Sequence, residues 1–232
     1  MKRYIIGNWK CNKSSDDGRR WLDIFAGSYT PKNNLEIIIA PSFVIIESIA
    51  DHLQQLDLDN VHLAAQDLSP YPKGSYTGAV AADMLRGLAQ YVITGHSERR
   101  RYFHENNQDV ANKVSEACDA DLIPIVCVDS SYALSQLAGL VDIECEQMIV
   151  AYTPVDALNV NVPEPVGKVS EAVRHIREMY SEWPVIYGGA LRPGNADQYL
   201  NLQEVSGLFL GSTSLDAEKF GAVCGLAAGL QL

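Results

Sequence analysis

The residue pattern points to a closed (β/α)8 barrel, an α/β architecture. Three observations carry that expectation: eight short apolar runs at nearly even spacing, their mostly continuous rather than alternating character, and segments of helical periodicity between them. Eight runs in 232 residues give about 29 residues per unit. A continuous apolar run suits a strand buried on both faces, as in a parallel sheet. Strict strand–helix alternation means parallel neighbours joined by right-handed crossovers, and eight such units close into a barrel. A doubly wound open sheet competes, but the first run leads into Gly7-Asn8-Trp9-Lys10 and not into a Gly-x-Gly-x-x-Gly turn. No linker or long polar tract interrupts the alternation, so a single domain over 1–232 is expected.

The strands are expected at 4–6, 36–40, 61–65, 91–94, 122–127, 148–152, 184–187 and 207–210. Each is followed within two residues by Gly, Asn, Ser, Pro or Asp, before the next helical stretch. Between the fourth and fifth runs, Val110, Val114 and Ala117 fall on one helical face. Val169, Val173, Ile176 and Tyr180 do the same between the sixth and seventh. In such a barrel the active site lies at the C-terminal strand ends. The residues to inspect are therefore Asn8-Trp9-Lys10, Ser42, Gln66-Asp67, Gly95-His96-Ser97-Glu98, Asp129, Thr153-Pro154, Gly188-Gly189 and Gly211-Ser212.

Charge narrows the partners. Lys plus Arg number 18 against 29 Asp plus Glu, a net charge of −11, which argues against nucleic acid. A local anion site stays compatible with that balance. The five cysteines are odd in number and lack C-x-x-C spacing, so free thiols in a reducing cytoplasm are expected, with no disulfide framework and no zinc. No metal and no organic cofactor is expected. No stretch approaches the ~20 apolar residues of a membrane span, and the early apolar run is too short for a signal-peptide core.

Each rim group has two readings. Lys10 can hold an anionic substrate or be a solvated surface lysine. His96 can polarise a carbonyl or shuttle a proton, or simply be hydrogen-bonded at the rim. Glu98 can act on a proton or pair with Arg99 or Arg100. Gly188-Gly189 and Gly211-Ser212 follow the seventh and eighth runs, where barrels often cradle phosphate on backbone N–H groups. Tight turns without a ligand are the plainer alternative.

These residues resemble the triosephosphate isomerase family along nearly the whole chain. Gly7-Asn8-Trp9-Lys10-Cys11-Asn12 looks like its first-strand signature, and Gly74-Ser75-Tyr76-Thr77-Gly78 like its interdigitating third loop. Ile93-Thr94-Gly95-His96-Ser97-Glu98-Arg99-Arg100 is close to its most specific motif, and Tyr187-Gly188-Gly189 and Leu208-Phe209-Leu210-Gly211-Ser212 resemble its phosphate loops. The resemblance implies a TIM barrel that binds a small phosphorylated metabolite, with Asn8, Lys10, Gly188, Gly189, Gly211 and Ser212 binding substrate. It further implies catalytic roles for Lys10, His96 and Glu98, no cofactor, and a homodimer formed through the loop around Thr77, while the cysteine and apolar patterns above give the expectation of a cytoplasmic location.

One family residue is missing. The family motif Ala-Tyr-Glu-Pro-Val-Trp-Ala reads here Ala151-Tyr152-Thr153-Pro154-Val155-Asp156-Ala157, so Thr153 occupies the general-base position. The lid tip becomes Asn159-Val160-Asn161, the sixth loop is shortened before Pro163, and so is the segment between Asp129 and Met148. Asp129-Ser130, Ala190 and Ala79 also depart from the family residues. The implied reading is a homologue whose isomerisation of dihydroxyacetone phosphate and glyceraldehyde 3-phosphate is lost or strongly impaired. An active isomerase using Asp156, Glu164 or Asp129 as replacement base is the alternative, and a non-catalytic scaffold is a third.

Overall fold

The computed structural model describes residues 2–229; the expected domain bounds also take in residues 1 and 230–232, which lie outside the described residues. Eight parallel strands close into one barrel in chain order. They are β1 (Arg3–Asn8), β2 (Leu35–Ala40), β3 (Val61–Ala65), β4 (Tyr91–Thr94), β5 (Ile123–Val128), β6 (Ile149–Tyr152), β7 (Val185–Tyr187) and β8 (Gly207–Leu210). The barrel closes where β1 pairs with β8, Tyr4 opposite Gly207 and Gly7 opposite Leu210. All eight expected runs form strands, with ends displaced by at most two residues.

The continuity of the apolar runs has a direct cause. Successive side chains on a strand point to opposite faces, and here both faces are covered. Ile6, Ile38, Ile93, Ile125, Ile149, Ile186 and Phe209 fill one buried cluster inside the barrel. Their neighbours Ile5, Ile37, Ile39, Val92, Val126, Val150 and Val185 belong to a second cluster beneath the helices.

The helices are α1 (Ser15–Ser28), α2 (Ile46–Leu56), α3 (Ser97–Phe103), α4 (Asn107–Asp119), α5 (Ala133–Ala138), α6 (Val155–Val160), α7 (Val166–Met179), α8 (Ala196–Leu200) and α9 (Ala217–Gly229). Val110, Val114 and Ala117 are buried on α4, and Val169, Val173 and Ile176 on α7. Tyr180 is an exception to the helical pattern: α7 ends at Met179, and the Tyr180 ring stacks on Trp183 at 4.9 Å. Among the described residues, no helix is long and apolar enough to cross a membrane.

Both shortened regions are visible. Between β5 and β6 there is only the six-residue α5, followed by an irregular stretch over 139–148. After β6, the expected short sixth loop contains only the six-residue α6, capped by Asn161 with φ 53°. The cysteine expectation needs correction here. Cys118, in the last turn of α4, is joined to Cys145 in the irregular stretch, with Cα atoms 5.5 Å apart. A pairing of residues 27 apart, created by the fold, has no local spacing signature. Cys127 and Cys224 are free and buried, whereas Cys11 is free and exposed.

Candidate functional site

A cleft of about 660 Å³ opens at the C-terminal strand ends. Of the expected site residues, Lys10, His96, Glu98, Thr153, Gly188, Gly189, Gly211 and Ser212 line it. Asn8 does not; it lies beneath, where its Oδ1 accepts the Lys10 N–H at 2.9 Å. That contact matters because Lys10 has φ 53°, a left-handed conformation costly for a side-chain-bearing residue. Gln66 holds the other side of the same residue, its Nε2 donating to the Lys10 carbonyl at 2.9 Å. The backbone is thus clamped so that Nζ reaches the Glu98 carboxylate at 2.6 Å.

Gly95 sets up the histidine. With φ +69°, and an added Cβ that would lie 3.1 Å from the Cys127 carbonyl, the turn from β4 into α3 favours glycine, since a side chain there would be both strained and crowded. His96 then caps α3, its Nδ1 accepting the Glu98 N–H at 3.2 Å, so the neutral ring carries its proton on Nε2. Burial pushes the imidazole down to about 4; the Glu98 charge opposes this and the Lys10 charge adds to it. His96 is accordingly a neutral hydrogen-bond donor at physiological pH. Its ring packs near Phe209, centroids 6.1 Å apart.

The expected pairing of Glu98 with Arg99 or Arg100 is corrected. Glu98 pairs with Lys10, from a strand end 88 residues away. Arg99 instead joins Asp67 at 2.8 Å and Glu105 at 3.0 Å, a network completed by the buried Lys113, which reaches Asp67 at 2.6 Å and also bonds Glu105. Arg100 is held by neutral acceptors, the Gly95 carbonyl at 3.1 Å and the Asn107 and Gln136 side chains, with its guanidinium 4.3 Å from the Tyr132 ring.

Thr153 is 1% exposed, and its hydroxyl is oriented toward the Val128 carbonyl at 3.5 Å. The other acids that could serve in its place lie elsewhere. Asp129 accepts the Val155 N–H at 2.7 Å and the Ser131 N–H at 2.9 Å, fixing the start of α6. Glu164 is 6% exposed, accepts from the Tyr152 hydroxyl at 2.8 Å and is bonded to Lys168. Asp156 sits exposed in the first turn of α6. None of the three lines the cleft, and Glu98 is the one carboxylate among the described residues that does.

At the far wall, the glycines after β7 are set by packing. A Cβ on Gly188 would lie 3.0 Å from Phe209 and from Thr153, and one on Gly189 only 2.5 Å from the Tyr187 hydroxyl. Sequence reasoning did not pick out Arg100, Arg101, Tyr132 or Asn159 as cleft residues. The signal available for Arg101 was its place as the third arginine after Glu98. Among the described residues, no group of three or more His, Cys, Asp or Glu is arranged to hold a metal ion.

The profile of the triosephosphate isomerase family matches residues 3–227. Curated relatives agree across almost the whole chain. The triosephosphate isomerase of Mesomycoplasma hyopneumoniae is 32% identical over 242 residues, covering 96% of this chain and 98% of the relative. That of Endomicrobium trichonymphae is 32% identical over 243 residues, covering 94% and 96%. A Dehalococcoides mccartyi triosephosphate isomerase is 31% identical over 253 residues, covering 100% of this chain and 99% of the relative.

Proposed function

Because the chain belongs to the triosephosphate isomerase family, we propose that it binds a small phosphorylated metabolite in this cleft while the family's triose-phosphate isomerisation is lost or strongly impaired. The observation that carries this reading is the placement of acids. Proton transfer between adjacent carbons needs a base on the side of the substrate opposite the carbonyl-polarising imidazole. Thr153 stands at that position with a hydroxyl, which holds no proton-accepting charge at neutral pH. Glu98, the cleft's carboxylate, is on the His96 side and engaged by Lys10. A general base typically contributes about 10² to 10⁴ in rate.

The binding half of the site has the groups an ester phosphate requires. Lys10 supplies the cation, and Gly188, Gly189, Gly211 and Ser212 bring backbone and hydroxyl groups to the same wall. His96 Nε2 can donate to a carbonyl or hydroxyl oxygen of the ligand. These groups need no metal or organic cofactor to bind the ester. The altered lid and the altered acid at Asp129 fit a site released from lid-gated proton abstraction.

A homodimer through the loop around Thr77 and a cytoplasmic location form part of the same reading. Tyr71 and Tyr76 stack at 4.7 Å on that loop while remaining about half exposed, and Tyr102 and Phe103 at the end of α3 are 63% and 65% exposed. An exposed aromatic surface of this kind supports association. Titration calorimetry with dihydroxyacetone phosphate and inorganic phosphate tests the proposal: saturable binding is expected, and its absence would leave the scaffold reading. Substituting Asp156, Glu164 and Asp129 one at a time tests the replacement-base alternative, which requires one of them to abolish a measurable turnover.

A further inference from the structure

The cleft carries more positive charge than one phosphate needs. Lys10, Arg100 and Arg101 line it against the single carboxylate of Glu98, in a chain whose net charge is −11. The three cations are not equivalent. Lys10 is paired with Glu98 at 2.6 Å. Arg100 is turned inward onto the Gly95 carbonyl, Asn107, Gln136 and the Tyr132 ring. Arg101 is exposed and, among the described residues, has no carboxylate partner. Its one side-chain hydrogen bond is from Nη1 to Asn159 Oδ1, at 3.3 Å, and its guanidinium lies 5.3 Å from the Tyr102 ring centroid. A guanidinium has five N–H donors, so most of those on Arg101 face solvent.

Position gives this charge its meaning. Arg101 follows Glu98 by three residues on α3, a spacing that puts both on one helical face. Asn159 comes from α6, in the part of the sequence that stands in place of the lid tip. Arg101 therefore spans the cleft mouth between α3 and α6, while the glycine loops after β7 and β8 form the other wall with Lys10. A volume of about 660 Å³ belongs to the range of sites that enclose ligands larger than a triose phosphate.

We propose that Arg101 is a second anion-binding pole of this cleft, so that the ligand carries two anionic groups: a phosphate on the glycine wall beside Lys10, and a second phosphate or carboxylate held by Arg101 with Asn159. The inference rests on the reading of the cleft as a phosphate-ester site and names the substrate class within it. An arginine fork matches the geometry of either anion through paired hydrogen bonds. In an acidic protein, a locally cationic cleft also concentrates such a ligand.

The test is titration calorimetry with terminal bisphosphates of three- to six-carbon polyols, each beside its matched monophosphate. At least one bisphosphate is expected to bind tenfold or more tightly than its monophosphate. In Arg101→Gln that advantage falls to within about twofold, and Arg101→Lys restores part of it. A merely structural role for Arg101 would weaken both ligands together and keep their ratio, which would overturn the proposal. Monophosphate binding with no bisphosphate advantage overturns the proposal while leaving the phosphate-ester reading intact. Failure of every monophosphate to bind overturns both.

Discussion

Lys10 and Glu98 meet across the cleft at 2.6 Å, joining the end of β1 to the first turn of α3. The pair holds the lysine's charge next to His96 and the glycine wall. Its side chains are 32% and 45% exposed, so its own contribution to stability is small. Its consequence is in binding. Lys10→Ala should weaken inorganic phosphate at least tenfold, because a charged hydrogen bond to the ligand is lost and Glu98 is left to repel the anion. Calorimetric affinity with and without Lys10 checks this, and thermal stability should change little.

His96 predicts an acid-side loss of stability. Its folded value is about 4 against an ordinary 6.5. The folded protein thus binds this proton less readily than the unfolded chain. The penalty is absent above about pH 6.5, grows as the pH falls, and levels off below about pH 4. At most it reaches on the order of 3 kcal/mol. Denaturant unfolding at successive pH values should show a slope over that window that flattens in His96→Gln.

The network of Lys113, Asp67, Glu105 and Arg99 predicts a large effect on stability from residues that do not line the cleft. Lys113 is 3% exposed and Glu105 7%. Removing one member of a buried ionic cluster leaves the others uncompensated, which costs about 3–5 kcal/mol. Lys113→Met should therefore lower the melting temperature by roughly 10 °C for a domain of this size, read by calorimetry.

The Cys118–Cys145 bridge predicts sensitivity to reductant. It closes a loop of 27 residues and anchors the irregular stretch ahead of β6 to α4. A loop of that size gives about 3 kcal/mol in the chain-entropy account. Reduction, or Cys118→Ser, should lower the melting temperature by about 5–10 °C, and hydrogen exchange should rise over 139–148. Unchanged melting in reductant would contradict this.

The barrel was legible because burial of both strand faces writes itself as unbroken apolar runs, as at Ile37-Ile38-Ile39. Lys10, His96 and Glu98 were legible as cleft residues because each follows a strand end. What a sequence does not encode locally is the partner. Glu98 is adjacent to Arg99 in the chain, yet Arg99 turns to Asp67 and Glu105, and the lysine 88 residues away takes the carboxylate. Asn8, also read as a strand-end residue, does not line the cleft; its side chain accepts the Lys10 N–H, a contact within two residues that no spacing announces. Tyr180 kept the helical spacing of α7 but lies one residue past its end, where stacking on Trp183 takes over. The cysteine pair was hidden for the same reason as the Lys10–Glu98 pair, since the closed barrel, and no motif, brings Cys118 to Cys145.

The position of Thr153 decides the account, and steady-state turnover of glyceraldehyde 3-phosphate addresses it most directly. The purified chain should be measured beside a relative that carries glutamate at the corresponding position. The chain's kcat is expected to be lower by about 10² to 10⁴ or more. A kcat within tenfold of the relative's would contradict it.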